Sequence, residues 1–450
     1  MSLRGLGTRC AVAALAAATA CRPAASPPPN VVLIVVDTLR ADRLGCYGSS
    51  ARLTPFIDSL AARGAVFRHA YAQSSHTKPS VASLMTSRFA WQHGVGTPQS
   101  VLEDDETTLA EVFRAHRYAT GGFSASKVVG VQDGFGQGFD LYAAYPPRRP
   151  DGGGSSTPVR AEFLEHAAEK WIRGVRRARA EAPLFIYLHL MEVHPAYAPP
   201  PDAVAARLGI TSDRLGAANA SYFGGGAARG NRADLAGIAQ VYDAEVASVD
   251  EALRHFFAAL DRLRVLNRSV VVLTADHGEG FYEHRLFGHG NSLYEELVHV
   301  PLLLVRSDAD GPRAVDRAVS LIDVAPTLLE LAGIPIPPSF EGRSLASANG
   351  GSALAYAELL RDDVEVDHTR AVILDRRKAI ARRDGTVELY DLLADPGESV
   401  PWQSASKERA TLERALAGAT ARAGTRVRKT ATRRLDADTS RQLRALGYVE

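Results

Sequence analysis

Short, unbroken apolar runs punctuate this chain at Val31–Val36, Leu184–Leu188, Val270–Leu273 and Pro301–Val305. They are rich in β-branched residues and too short for helices. A strand buried on both faces needs a continuous apolar run rather than alternation, so these segments predict a parallel sheet covered by helices on both sides. Between them the period becomes that of amphipathic helices. One begins at Thr54-Pro55, a cap residue followed by a first-turn proline, and stops at Gly64. Others run over Thr107–His116, Arg160–Arg179 and Ala233–Leu263. Strands alternating with helices predict a doubly wound, mostly parallel α/β fold. Beyond Ala357 the texture changes to short strand-like pieces (Ala371–Leu374, Lys378–Ala381, Thr386–Tyr390), which predict a small antiparallel-sheet subdomain. The Arg-rich stretch Ser406–Glu450 has a helical pattern and reads as a solvated tail. Residues 30–356 are thus the predicted catalytic domain, and 357–450 the C-terminal subdomain with its helical tail. Pro146–Pro158 and Gly216–Gly230, each with a run of three glycines, predict flexible surface excursions, the second bordering the pocket.

Composition narrows the class. With 450 residues the chain can bury a large core, and a net charge of +1 carries no electrostatic footprint for nucleic acid. The first 29 residues stand apart. Arg4 and Arg9 precede a small-apolar run, Cys10–Ala20, that is too short to span a bilayer and fits a signal-peptide core. It ends in Ala18-Thr19-Ala20-Cys21, which resembles a bacterial lipoprotein acceptor site. Export follows, either as a periplasmic or outer-surface lipoprotein or as a plainly secreted protein, with a retained anchor as the third option. Membrane contact would then come only through a lipid on Cys21. Arg22–Pro29 reads as a tether. The only other cysteine is Cys46, so there is no disulfide framework, and Cys46 reads as a small buried hydrophobe.

In a doubly wound sheet the site lies beyond the carboxyl ends of the strands, and Asp37, His189 and Asp276 all fall at or just beyond such ends. Thr77 precedes Lys78-Pro79-Ser80 and reads as the cap of a helix starting at Pro79. The same geometry exposes its hydroxyl to unpaired N–H groups and the positive helix end, which favour an anionic substrate and an alkoxide. A threonine hydroxyl still needs a metal or a base to become a nucleophile. Asp276-His277, followed by glycine, can grip one ion from two sides, and Asp37 and Thr77 complete a one-metal set. His289 and His194 would place imidazoles around the transferred group as proton donors or clamps. Each residue alone reads as a cap or a satisfied polar group; their combination points to catalysis. Two carboxylates, an imidazole and a hydroxyl suit Zn²⁺ or Mn²⁺ better than Ca²⁺ or Mg²⁺.

From Asn30 onward the chain resembles the sulfatase family of the alkaline phosphatase superfamily. The resemblance rests on Val36-Asp37-Thr38-Leu39-Arg40-Ala41-Asp42, on Cys46-Tyr47-Gly48, on the Thr77 segment and on Gly134–Asp140. It continues through Tyr242–Glu245, Asp276-His277-Gly278-Glu279, Leu321–Leu329, Leu389–Leu392 and Leu443–Tyr448. It implies an alkaline phosphatase-like fold and metal-dependent ester hydrolysis. The departures bear on chemistry. Where the family converts a Cys or Ser to formylglycine this chain has Thr77, and Val81 replaces the arginine that ends that motif. Thr38 replaces a second metal carboxylate, Ser124-Ala125 a Gly-Lys pair, and His289 a later lysine. The remaining set resembles the lipoteichoic acid synthases and lipid A phosphoethanolamine transferases, in which a metal-bound threonine forms a phospho-enzyme; those relatives carry Glu at the place of Asp37. That resemblance implies a Thr nucleophile acting on phosphoesters or phosphodiesters, by hydrolysis or transfer. Sulfate ester hydrolysis without formylglycine and a non-catalytic binding protein on the same fold are the alternatives. The lack of membrane-helix patterns favours hydrolysis of a small-molecule or cell-surface ester.

Overall fold

The structure is a computed structural model and describes residues 27–144, 159–224, 229–309, 311–347, 350–351, 354–360, 369–403, 406–424, 428–435 and 440. The signal and Cys21 segment, Pro146–Pro158, residues 225–228 of the second excursion and Leu443–Tyr448 lie outside the described residues.

Asn30–Val36 (β1) is buried along its whole length and lies between two equally buried parallel neighbours, Leu184–Leu190 (β5) and Ser269–Thr274 (β6). Beyond β5 come Ala119–Ser124 (β3) and Leu141–Ala144 (β4), both parallel. Beyond β6 the order continues with Leu302–Arg306 (β10), Ala65–Tyr71 (β2) and Arg313–Ser320 (β11), while His299–Val300 (β9) also pairs with β2. Only β9 and β10 run against their neighbours, so the sheet is mostly parallel, as the continuous apolar runs require. Two helix groups cover it. One gathers Pro55–Ala61 (α1), Ala161–Ala178 (α5), Asp202–Leu208 (α6) and Ser212–Phe223 (α7) around Arg232–Arg262 (α8). The other gathers Ala90–His93 (α3), Leu109–Ala115 (α4) and Val324–Leu331 (α10) around Thr77–Thr86 (α2). Two expectations change here. The helix after Ser75 starts at Thr77 rather than Pro79, because proline is tolerated in a first turn whose N–H groups have no helical partner. Gly216–Phe223 is helical rather than a loose excursion. Cys46 is half-buried, and burial and the Asp58 carboxylate push its thiol up to about 12, consistent with an inert side chain.

A second, antiparallel sheet orders Ala355–Leu359 (β12), Thr369–Leu374 (β13), Arg377–Ala381 (β14) and Val387–Asp391 (β15), with Lys407–Ala423 (α11) packed on β13 and β14. A boundary at residue 357 therefore falls inside β12. The seam to the main domain contains Lys378, fully buried and paired with Glu295 at 3.0 Å and Glu398 at 3.1 Å.

The tail departs from a solvated face after α11. Residues 428–433 return to the main domain as an extended strap, with Arg428 N donating to Trp91 O (3.1 Å), Val101 N to Ala431 O (2.9 Å) and Arg433 N to Gln99 O (3.0 Å). Its arginines meet carboxylates there: Arg428 pairs with Asp105 and Glu106, and Arg433 Nε donates to Asp133 Oδ1 at 2.8 Å. Asp133 Oδ1 also accepts from Lys78 Nζ at 2.7 Å, and Lys78 donates further to Pro98 O and Ser100 O at 2.6 and 2.7 Å. All three ammonium protons are thereby used within the protein, one residue after Thr77.

Removing Asp133 would leave the buried Lys78 charge uncompensated. Asp133→Ala should therefore lower unfolding free energy by about 3–5 kcal/mol. Arg433→Ala should cost about 1 kcal/mol or less, because that side chain is 19% exposed and the Lys78 pair survives. Urea denaturation compares the two, and equal losses would show that the strap, not the buried pair, holds this corner.

Candidate active site

Register places the first two carboxylates. Val35 of β1 lies opposite Thr274 of β6, so Asp37 and Asp276 continue the same ladder two residues on, at the carboxyl ends of adjacent strands about 4.8 Å apart. Val35 also lies opposite His189 of β5. His189 Nε2 meets Asp37 Oδ2 at 3.2 Å, and its Nδ1 meets the Tyr187 hydroxyl at 3.1 Å. The chain leaving β1 turns through Thr38 at φ 58, a left-handed conformation that is costly for a β-branched residue. Tyr242 of α8 holds that turn: its hydroxyl donates to Thr38 O at 2.7 Å and accepts from Arg40 N at 2.9 Å.

The third element is α2. Thr77 opens the helix, fully buried, with Oγ1 3.3 Å from Asp37 Oδ2 and 3.0 Å from His277 Nε2. Ser80, one turn on, donates to Asp276 O at 2.6 Å and ties the helix to the β6 end. His277 Nδ1 lies 2.9 Å from Gly278 O; donation there leaves Nε2 as the lone-pair nitrogen facing Thr77. Gly278 permits the close crossing that follows, since a Cβ there would stand 2.0 Å from Glu296 O.

Asp37, Asp276 and His277 each offer a ligand atom within 4.8 Å of the others. Two carboxylate oxygens in that cluster, Asp37 Oδ1 and Asp276 Oδ2, are buried with no hydrogen-bond partner among the described residues. Buried anionic oxygens with open lone pairs converging on one imidazole are the donor set of a divalent cation, so these residues fit a metal. The electrostatics agree. Burial pushes Asp37 up, but the facing His189, His194 and His277 outweigh it and hold the carboxyl well below the usual range. Asp276, pushed up by burial and by the Asp37 charge, reaches about 6. Burial pulls His277 down, yet the two carboxylates raise it overall.

His289 and His194 do converge here. The His289 ring centroid lies 4.7 Å from that of His277 and 5.0 Å from that of His194. His289 follows a small hairpin of Gly280–Phe281 (β7) and Phe287–Gly288 (β8). Gly290 after it sits at φ 75, where a Cβ would meet the His76 ring at 2.2 Å. Burial pulls His289 down to about 3 and His194 to about 4, so both are neutral at neutral pH rather than cationic clamps.

Sequence reasoning quoted Glu279 but gave it no role. Both its carboxylate oxygens lie 3.2 Å from His289 Nδ1, and Tyr222 of α7 donates to Oε2 at 3.3 Å. Adjacency to His277 and the spacing to His289 were visible, but only hairpin closure brings Glu279 and His289 together. Tyr222 lies in the stretch read as an excursion. His189 was noted at a strand end, and here it supports Asp37.

Family models and relatives match most of the chain. The model described as Sulfatase matches residues 29–334, and that described as N-sulphoglucosamine sulphohydrolase, C-terminal, matches 280–417. Arylsulfatase K of Mus musculus is 27% identical over 424 residues, covering 82% of this chain and 75% of that protein. The uncharacterized sulfatase YidJ of Escherichia coli (strain K12) is 25% identical over 424 residues, covering 82% of each. Two solved structures share the fold. A phosphonate monoester hydrolase of Agrobacterium radiobacter has a TM-score of 0.69 at 20% identity, covering 88% of this chain and 95% of its own. A protein in complex with its substrate D-glucosamine-2-N,6-O-disulfate has a TM-score of 0.70 at 19% identity, covering 88% and 98%.

Because Asp276 titrates higher folded than unfolded, the folded protein holds the extra proton between about pH 4 and 6, and this group's contribution to stability falls as pH rises through that window. In chelator, the melting temperature of the wild type should fall across that interval more steeply than that of Asp276→Asn, and Zn²⁺ or Mn²⁺ should reverse the fall in wild type only. Parallel profiles for the two proteins would contradict the assignment.

Proposed function

The chain belongs to the sulfatase family and is a hydrolase of the alkaline phosphatase superfamily, and from that premise we propose that it cleaves sulfate monoesters at a one-metal site with Thr77 as nucleophile. The observation that carries the nucleophile is the Thr77 hydroxyl at a helix N-terminus, 3.0 Å from His277 Nε2 and 3.3 Å from Asp37 Oδ2. The substrate class follows the arylsulfatases that this chain resembles along most of its length. They favour a sulfate ester over a phosphoester.

A divalent ion held by Asp37, Asp276, His277 and Thr77, Zn²⁺ or Mn²⁺ by its mixed oxygen and nitrogen donors, would acidify the hydroxyl and offset charge on the transferred group. The protein's own groups do the rest. N–H groups of the first α2 turn and the helix dipole favour the anionic ester beside Thr77. Attack of Thr77 Oγ1 on sulfur breaks the S–O bond to the alcohol and forms a threonine sulfate, and the proton lost from Oγ1 passes to the departing alcohol oxygen; water then cleaves the new ester at sulfur, releasing sulfate and a proton and restoring the hydroxyl. Neutral His289, with Nδ1–H committed to Glu279, presents Nε2 as the site through which that proton moves, and Glu279 stabilises the transient imidazolium. His194, packed edge-on against it, limits the orientation of the ring. Lys78 takes no part, because its donors are satisfied away from Thr77.

Phosphoester or phosphodiester hydrolysis is the second reading, and Thr77 itself favours it. Threonine cannot give the formylglycine aldehyde whose hydrate releases sulfate by elimination, whereas a phosphothreonine is resolved directly by water or an acceptor alcohol. No helix among the described residues is long and apolar enough to cross a membrane. Export through residues 1–20, with a lipid on Cys21 of a bacterial lipoprotein, belongs to the same proposal, as does a small-molecule or cell-surface substrate.

Aryl sulfates, phosphate monoesters and phosphate diesters assayed with Mn²⁺ or Zn²⁺ should show sulfate ester turnover that falls at least about 10³-fold in Thr77→Ala. Undiminished turnover in the variant would remove Thr77 from the mechanism, and turnover confined to phosphoesters would establish the second reading. Glu279→Gln should lower kcat by about 10²-fold with little change in KM, as expected for a group that acts through His289; a change confined to KM would contradict that role.

A further inference from the structure

A cavity of about 750 Å³ lies at the seam between the main sheet and the C-terminal subdomain, and Thr77 does not line it. Its volume falls in the range of small-molecule sites. The wall is dense in charge, and most of that charge is already matched. Arg40 binds Asp42 and Glu283, at 2.8 and 2.5 Å. His69 meets Asp316 at 3.2 Å, Glu295 meets Lys378 at 3.0 Å, and Glu296 meets His284 at 2.8 Å. The nearby cluster of His284, Glu296 and Glu398 has its cation in Lys378, so it calls for no metal.

Two guanidinium groups on this wall have no carboxylate partner among the described residues. Arg68, on β2, is exposed and has neither a side-chain hydrogen bond nor an ion pair there. Arg376 is at the two-residue turn between β13 and β14, where Asp375 and Arg376 both take positive φ, 47 and 64, as a hairpin of that length demands. Its Nη2 reaches Leu392 O at 3.2 Å, but its Nε is buried without a partner. His69 lines the same wall. Burial, and then the positive Arg376 beside it, pull its imidazole down to about 4, so it remains neutral. Asp42 and Glu283 face Arg40, Glu295 faces Lys378, Glu296 faces His284 and Asp316 faces only the neutral His69, while two forked donors, one from each domain, have no carboxylate partner among the described residues.

We propose that this seam cavity binds a tetrahedral oxyanion, sulfate or phosphate, gripped by Arg68 from the catalytic sheet and Arg376 from the C-terminal subdomain. Guanidinium forks match oxyanions in geometry, and four oxygens let one ion accept from both walls at once. The ion would bridge the two domains. It would also adjoin Arg40, a wall residue whose Nη1 donates to Glu279 O at 2.9 Å. The oxyanion is either free or carried on an organic body, and the cavity has room for both.

Thermal unfolding of the full chain at constant ionic strength tests this, with inorganic sulfate, inorganic phosphate, a sulfated monosaccharide and chloride. An oxyanion that binds the folded state should raise Tm by roughly 2–4 °C near saturation. The rise should be the same in wild type and Thr77→Ala, absent with chloride, and lost in both Arg68→Gln and Arg376→Gln. A larger shift with the sulfated sugar than with sulfate assigns a carried oxyanion, and equal shifts assign the free ion. A rise that persists in both arginine variants, or that chloride reproduces, overturns the proposal. Selenate soaked into crystals gives a direct check, since its anomalous signal should lie between Arg68 and Arg376.

Discussion

Two carboxylates that end adjacent buried strands set the terms for the rest of the structure. Asp37 and Asp276 lie side by side at the ends of β1 and β6, each fully buried and each with an oxygen that no donor among the described residues reaches. Like charges at that separation in a dry site repel strongly, and the molecule answers with imidazoles, backbone N–H groups and a place for a cation. His189 sits under Asp37. Thr38 N and His277 N both point at Asp276 Oδ1, at 3.3 and 2.9 Å. The left-handed turn at Thr38 persists because Tyr242 holds both sides of it. Local strain at this point is compatible with a stable fold only where the surroundings over-determine it.

The Thr77 hydroxyl is placed by a second, more distant arrangement. Thr77 can face the carboxylates only if the first turn of α2 is held in place, and that turn is anchored on one side by Ser80 and on the other by Lys78. Lys78 is paired through Asp133, which a strap from residues 428–433 also reaches. The strap is thus tied to Lys78, the residue next to Thr77. On the opposite flank, the β7–β8 hairpin and α7 bring Glu279, His289 and Tyr222 together. The neutral histidines differ from the cationic clamps that an anionic substrate calls to mind. In so buried a site neutral imidazoles add no positive charge of their own.

Much of this was legible along the chain, for reasons that differ by element. Val31–Val36 and Val270–Leu273 reveal buried strands because only a two-faced burial accepts unbroken aliphatic runs. The residues that follow such runs are then the candidates for a site, which is how Asp37 and Asp276 emerge before any coordinates. Thr77 was visible through its proline-containing turn, although the helix begins two residues earlier than the cap reading placed it. Glu279 escaped assignment because a carboxylate ten residues from a histidine carries no periodic signal. The strap escaped because an Arg-rich segment looks alike whether its charges meet water or Asp105, Glu106 and Asp133.

The sequence by itself determined the layered fold, the order of buried strands and the kinds of donor available at their ends, since these depend on local periodicity and residue type. It also placed a threonine at residue 77, where the resemblance to sulfatases implies a cysteine or serine. Tertiary structure alone decided which donors meet: Asp37 with Asp276 through register, His289 with Glu279 through a hairpin, Lys78 with Arg433 through a shared Asp133. It decided as well that Arg68 and Arg376 line one cavity, neither with a carboxylate partner among the described residues. Charge pairing depends on distance and dielectric, both set by the packing of remote segments, and neither is written in the spacing of residues along the chain.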